Sequence, residues 1–409
     1  MKTKTLLLSI GIALIIISCQ KQTIEEPTKY VKNGVIVWQK PLWKVPHDTA
    51  YYVMSILKPL FQFDDKVIVE TYKNGKGGIR CMEVETGRIV WEKYIGFEVA
   101  PHGYSLGINN PYFNEESRFI IVSFGPWGDR KHARINIDTG AAEWETPLET
   151  FASMEGMGDH YYCTVYTSDD VCPIYKVNVN SGGADYFYTS TLEAHSNYNA
   201  QRSATARPFI HNNKEYLILD ELRLVDPSTG LIEYFFSLMD AETKELLVEH
   251  KPIESPVSKV EMVNGELYLF TGVGYKIFSM ETLSVIRDVR LFNINSSTNT
   301  SSYSFHRFYN DKLVIGLSAG IYIVNKSTHA KLFQIDNAYV SPSAILDDVL
   351  YVLPGGQHFW AYNLNTGKQV LDFELDHNVS FCTATYKNSQ GKKFVIVSDI
   401  GFTYCYEAI

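Results

Sequence analysis

The sequence lacks the local motifs of phosphate and zinc chemistry: it has no Walker loop, HExxH helix, CxxC pair or EF-hand loop. Cysteine is scarce, six in 409 residues, with no two adjacent and none at metal-ligand spacing, so neither a metal nor another cofactor is expected. Positive charge is in short supply, with 37 Lys and Arg against 46 Asp and Glu and a net charge of -9. A phosphate backbone would be repelled on average, which argues against nucleic acid as a partner. The apolar run over residues 6 to 17 is too short to span a bilayer. What is abundant is core material: the chain is 45% hydrophobic and 13% aromatic, with 27 Tyr and 22 Phe, the residues that strands favour.

The first residues are Met1, Lys2, Thr3 and Lys4, followed by that apolar run and Ser18-Cys19. A positive segment, a short apolar segment and a small residue before the cut make a cleaved export signal over residues 1 to 18. It resembles a bacterial lipoprotein signal, whose final cysteine is acylated, so lipidation is expected at Cys19. Two or three acyl chains, each contributing roughly 0.8 kcal/mol per buried methylene, anchor a protein stably in a lipid bilayer. Gln20 in place of an aspartate after the cysteine implies, by the same resemblance, the outer membrane. Residues 19 to 30, with Lys21, Glu25, Glu26 and Pro27, lack apolar periodicity and read as a polar tether. With Cys19 assigned to lipid, five cysteines remain, and the odd count leaves at least one thiol unpaired. Cys163 and Cys172 flank a turn at Ser168-Asp169-Asp170, and an oxidising compartment permits a disulfide between them.

A repeat organises residues 31 to 409. A short strand leads to a polar turn centred on Thr-Gly, and a bulky residue follows four positions after the glycine. The clearest copies are Glu85-Thr86-Gly87 with Trp91, Asp138-Thr139-Gly140 with Trp144, Asn180-Ser181-Gly182 with Tyr186, and Asn365-Thr366-Gly367 with Leu371. Degenerate copies place Leu247, Arg287 and Phe333 after Thr243, Thr282 and Thr328, and Gly34 before Trp38 opens the series. Successive copies lie about 40 to 60 residues apart, the spacing of four-stranded propeller blades. Strands are expected between the turns, as at Lys66-Val67-Ile68-Val69, Phe119-Ile120-Ile121-Val122 and Phe394-Val395-Ile396-Val397. The expectation is an all-β fold, a single β-propeller of eight four-stranded blades, or seven if the divergent stretch over residues 209 to 253 is counted differently. Residues 35 to 42, carrying Trp38, are expected to supply the outer strand that the last blade lacks, closing the ring without a free edge at the seam.

The Asp-Thr-Gly-x-x-x-Trp turns resemble the quinoprotein-type β-propeller repeat of pyrroloquinoline-quinone dehydrogenases and of the outer-membrane assembly lipoprotein of Gram-negative bacteria. The enzyme branch implies a vicinal disulfide, a tryptophan stacked on the cofactor, and calcium ligands; the absence of adjacent cysteines departs from it. The lipoprotein branch implies a scaffold for barrel insertion, with an envelope or outer-membrane protein as partner and no cofactor.

No catalytic residue is expected. Gly316-Leu317-Ser318-Ala319-Gly320 matches the nucleophile elbow G-x-S-x-G, but it lies between two strands where the elbow needs a strand entering a helix. Asp64-Asp65, Asp169-Asp170 and Asp347-Asp348 read as turn residues. In a propeller the Thr-Gly turns share one face, and the other loops share the opposite face. On that second face the expected binding residues are His102, Tyr104, Trp127, Arg130, Tyr198, Arg202, His306, Arg307, His358 and Trp360. Trp, Tyr and Arg dominate interface hot spots, so the face suits a protein partner; its aromatic and amide content suits a glycan as the alternative.

Overall fold

The structure, a computed structural model, describes residues 29–47, 61–73, 76–98, 109–124, 131–146, 154–165, 171–193, 202–226, 231–292, 302–336, 343–354, 356–376, 379–399 and 401–409. These form an eight-bladed β-propeller. Blade 1 is the meander Phe61–Phe63, Lys66–Lys73, Lys76–Glu83 and Ile89–Glu98, lettered A to D from the axis outward. Blades 2 to 7 repeat it over residues 109–146, 155–188, 202–253, 257–290, 303–335 and 344–374. The A strands of consecutive blades adjoin around the axis, as in blades 3, 4 and 5 and again in blades 7, 8 and 1. Residues 209 to 253 are most of blade 4, the longest blade, which makes the number eight.

Blade 8 takes Val379–Lys387, Lys393–Asp399 and Phe402–Glu407 from the C-terminus and its outer strand from near the N-terminus. That outer strand is Trp43–Pro46, with Trp43 opposite Cys405. The closure is of the expected kind, but residues 35 to 42 do not provide it. Asn33-Gly34, both at positive φ (52° and 79°), make the two-residue turn of a hairpin between Lys29–Lys32 and Val35–Gln39. This hairpin adds to the outside of blade 7, where Ile36 pairs in parallel with Leu371. Its first strand begins at Lys29, inside the segment read as tether.

Each blade is covered on both faces, so its middle strands read as continuous apolar runs. In Val67-Ile68-Val69, Ile68 packs with Ile120 and Val122 of blade 2, while Val67 and Val69 pack with Phe394 and Ile396 of blade 8. The interior is thus a set of slabs, each between two neighbouring blades.

The Thr-Gly turn closes strands C and D and begins two residues earlier than the sequence suggested, at a side-chain acceptor. Asn136 Oδ1 accepts from the Asp138 and Thr139 amides at 3.0 and 3.1 Å, and Asn178, Asn325 and Asn363 do the same in their turns. The fifth residue is always left-handed: Gly87, Gly140, Gly182 and Gly367 at 68° to 70°, and Lys244, Leu283 and His329 at 50° to 61°. Glycine occupies it where the preceding blade lays a ring on the turn. A Cβ at Gly87 would lie 2.6 Å from Trp43, at Gly140 2.7 Å from Trp91, and at Gly182 2.9 Å from Trp144. Each indole also donates to the carbonyl three residues before that glycine: Trp43 to Val84 at 2.8 Å, Trp91 to Ile137 at 2.9 Å and Trp144 to Val179 at 2.8 Å. Phe333 lies on Gly367 in the same way. Trp43 is therefore the repeat residue at the seam, in place of Trp38.

Cys163 and Cys172 are free, buried thiols, as are Cys81 and Cys405, so the expected bridge is not present. Cys163 faces Tyr175 in the ladder of blade 3. Cys172 lies in the two-residue strand Val171–Cys172, which leaves that ladder and pairs in parallel with Arg202 and Ser203 of blade 4. Burial pushes the Cys81 and Cys163 thiols up to about 12, which keeps them protonated and unreactive. The Gly316 to Gly320 string is a hairpin tip, with Leu317 paired to Gly320.

The ring-on-glycine contact makes opposite predictions at two turns. Gly140→Ala should lower stability by about 3 kcal/mol, combining left-handed strain with displacement of Trp91. Leu283→Gly, where no ring covers the turn, should gain about 1 kcal/mol. Chemical denaturation of the two variants reads both signs.

Candidate functional site

The A strands of blades 3 to 6 carry charge near the axis, within three to five residues of their A–B turns. Glu155 of blade 3 accepts from Arg207 Nη1 of blade 4 at 2.8 Å and from Lys259 Nζ of blade 5 at 2.6 Å. Arg207 is buried and also donates through Nε to the Val257 carbonyl at 2.8 Å. Beside it, half-buried Asp220 on strand B of blade 4 accepts from the Val257 amide at 2.8 Å. Burial lifts the Asp220 carboxyl to about 6, against the opposing pull of Arg207 and of that amide.

The next pair joins blades 5 and 6. His306 Nε2 bonds Glu261, its Nδ1 meets the Tyr303 hydroxyl at 2.6 Å, and its ring stacks on Phe270 with centroids 3.8 Å apart. Burial holds the His306 imidazole below its usual range, outweighing the carboxylate, while His306 holds Glu261 below the usual carboxylate range. Arg307 is exposed and donates to the His306 carbonyl at 2.9 Å; it has no carboxylate partner among the described residues. At the matching position in their inner strands blades 7, 8 and 1 offer Ala344, Thr385 and Phe61, so among the described residues the charge at this position falls on blades 3 to 6.

His306 and Arg307 therefore stand in an innermost strand, Tyr303–Tyr309, not in a loop. His358 and Trp360 lie on strand C of blade 7, toward the rim, where both approach Asp372: Trp360 Nε1 donates to it at 2.9 Å and His358 Nδ1 is 3.5 Å away. The structure brings these residues together in two pairs, on different blades and different strand layers, and not into one patch. Arg202 opens strand A of blade 4, in backbone register with Arg223. His102, Tyr104, Trp127, Arg130, Tyr198 and Cys19 lie outside the described residues. Glu155, Lys259, Glu261 and Asp220 were missed from sequence. The signal that marks Glu155, Lys259 and Glu261 is a charge inside a strand a few residues ahead of an Asn-Gly or Gly-Asp turn.

These features define the class: an all-β, eight-bladed propeller. Similar solved structures are Sqt1 of Saccharomyces cerevisiae (10% identity, TM-score 0.61, 88% of this chain and 97% of that one) and BamB of Moraxella catarrhalis (12%, 0.53, 90% and 99%). The quinohemoprotein alcohol dehydrogenase ADHIIG of Pseudomonas putida HK5 is similar as well (8%, 0.59, 90% and 76%). No family model and no curated protein matches the sequence. At these identities the likeness shows the fold, and catalysis has to be argued from side chains. The inner carboxylates do not fit the quinone-and-calcium chemistry of the dehydrogenases, because Glu155 is already bonded by two cations and Glu261 by His306.

Asp220 gives this region a pH signature. Its folded value is raised from 3.8 to about 6, so the stability it contributes is complete below pH 3.8 and is lost as pH rises through 6. Asp220→Asn lacks that loss. The stability of the variant relative to wild type should rise by about 2 kcal/mol between pH 4 and pH 7, measured by denaturant titration at each pH.

Proposed function

We propose that this chain is a partner-binding scaffold of the bacterial envelope, acylated at Cys19, held at the outer membrane, and engaging a membrane or assembly protein. Support for the anchor is the signal that ends at Cys19. Support for a scaffold is the fold, which is similar to that of BamB and of Sqt1.

The observation that carries the reading is the hairpin added to blade 7. Among the described residues its outermost strand, Lys29–Lys32, is paired on one side only, with Val35–Gln39. Tyr30 and Val31 on it are 58% and 57% exposed. An open edge with exposed apolar side chains suits strand addition by a partner, in which backbone bonds supply affinity and side chains selectivity. The edge follows the tether directly, so the acyl chains would present it near the membrane.

Two measurements test this. Cys19→Ser should move the protein from the membrane fraction to the soluble fraction. Crosslinking of the acylated chain in its own envelope should recover an envelope protein that is lost on combining Tyr30→Asp with Val31→Pro. Equal recovery by that double variant would remove the edge as the docking site, and recovery of no protein would remove the scaffold reading.

A further inference from the structure

The interface between blades 3 and 4 contains a polar chain unrelated to the axis. Glu221, on strand Lys214–Asp226, is fully buried. Its Oε1 accepts from Ser190 Oγ at 2.5 Å, and its Oε2 from Ser237 Oγ at 2.6 Å and from His250 Nδ1 at 2.9 Å. A carboxylate accepts only, so the imidazole carries its proton on Nδ1 and presents a lone pair at Nε2. That atom is 3.2 Å from Thr191 Oγ1, placing the hydroxyl as donor. Thr191 is exposed, the His250 side chain is 20% exposed and Glu221 is at 0%, so the chain runs from solvent into the core.

Hydroxyl, imidazole and carboxylate in that order are the parts of an activated nucleophile: the base takes the hydroxyl proton, and the acid holds the ring in its tautomer. The backbone at the histidine is built for this placement. His250 is at φ +42°, a strained conformation for a residue with a Cβ. It sits at a bulge, since Phe236 pairs with Lys251 and Leu238 with Val248, leaving Glu249 and His250 opposite Ser237 alone. Ser237 Oγ accepts the His250 amide at 2.9 Å and secures the bulge. A polar staple between blades would need neither the bulge nor the strained ring carrier. Glu249, 3.6 Å from Nε2, adds a second carboxylate beside the base.

We propose that Thr191 is a nucleophile that accepts acyl groups from small carboxylic esters reaching it from solvent, with His250 as its base and Glu221 as the positioning residue. Thr191 Oγ bonds to the ester carbonyl carbon as its proton passes to His250 Nε2. The carbon–alkoxide bond then breaks, and the leaving oxygen takes that proton. Water, deprotonated in turn by His250, cleaves the acyl-threonine to the acid and restores the hydroxyl. No oxidant or cofactor enters.

The test uses the purified full chain with p-nitrophenyl acetate, reading nitrophenolate release together with peptide mapping of the acetylated protein. Acetyl on Thr191 is expected in wild type. Thr191→Val should abolish it, and His250→Gln should slow it by about a hundredfold, the scale of a lost general base. Thr191 lies at the solvent end of the chain and His250→Gln keeps an amide N–H to donate to Glu221, so the thermal melting of both variants should stay close to wild type, which separates lost chemistry from lost folding. Acetyl confined to lysines, or the same Thr191 labelling in His250→Gln, would overturn the proposal and leave Glu221 and His250 as a structural tie. Partner capture through the Lys29–Lys32 edge is unaffected by either result.

Discussion

Each turn glycine that carries a ring does so from the previous blade, and this contact governs how the disc is assembled. The left-handed residue closes the C–D turn of its own blade, while the absent Cβ leaves room for the neighbour's indole at 2.6 to 2.9 Å from where that atom would stand. One residue thus serves local turn geometry and blade-to-blade packing together. The indole bond to a turn carbonyl adds direction to what would otherwise be apolar contact. The turns of blades 4, 5 and 6 give up the lock, with Lys244, Leu283 and His329 in place of the glycine. At one of them Lys244 takes the glycine position, lies over the Phe187 ring and donates to its carbonyl at 3.0 Å.

The interfaces without that lock, from blade 3 round to blade 6, are also where the polar chemistry lies. The Glu155–Arg207–Lys259 cluster and the Glu221–His250 chain both fall within blades 3 to 5, and Glu261–His306 follows at the next interface. Burying charge costs more than burying hydrocarbon unless each group is bonded, and here Glu155 has two cations and Glu221 three donors. These interfaces add directed bonds to their apolar slabs, where the turns at Gly87, Gly140, Gly182 and Gly367 add a ring on glycine. Directed bonds fix side-chain orientation, which an active or binding centre requires.

Much of the fold was legible because turns and two-sided strands leave strong marks. Thr-Gly at blade spacing, and runs such as Val67-Ile68-Val69 with no polar alternation, report backbone conformation and burial on both faces, and both are local properties. The seam was misplaced because Gly34 and Trp38 copy the repeat offset while belonging to an Asn-Gly hairpin. The Asn33-Gly34 pair was the stronger signal. The Cys163–Cys172 pairing failed because strand register, not sequence distance, sets which side chains meet.

The sequence by itself determined the propeller architecture, the turn chemistry and the apolar slabs, since each follows from which residues favour left-handed turns and which favour buried strands; that residues 209 to 253 belong to a blade of their own, making eight and not seven, was decided by the structure. Only the tertiary structure decided that Trp43 closes the ring, that Glu155 meets cations from two other blades, and that His250 stands between Glu221 and Thr191. Those contacts join residues about 30 to 360 positions apart. Their geometry is set by the curvature of the whole ring, and no local pattern in the chain encodes it.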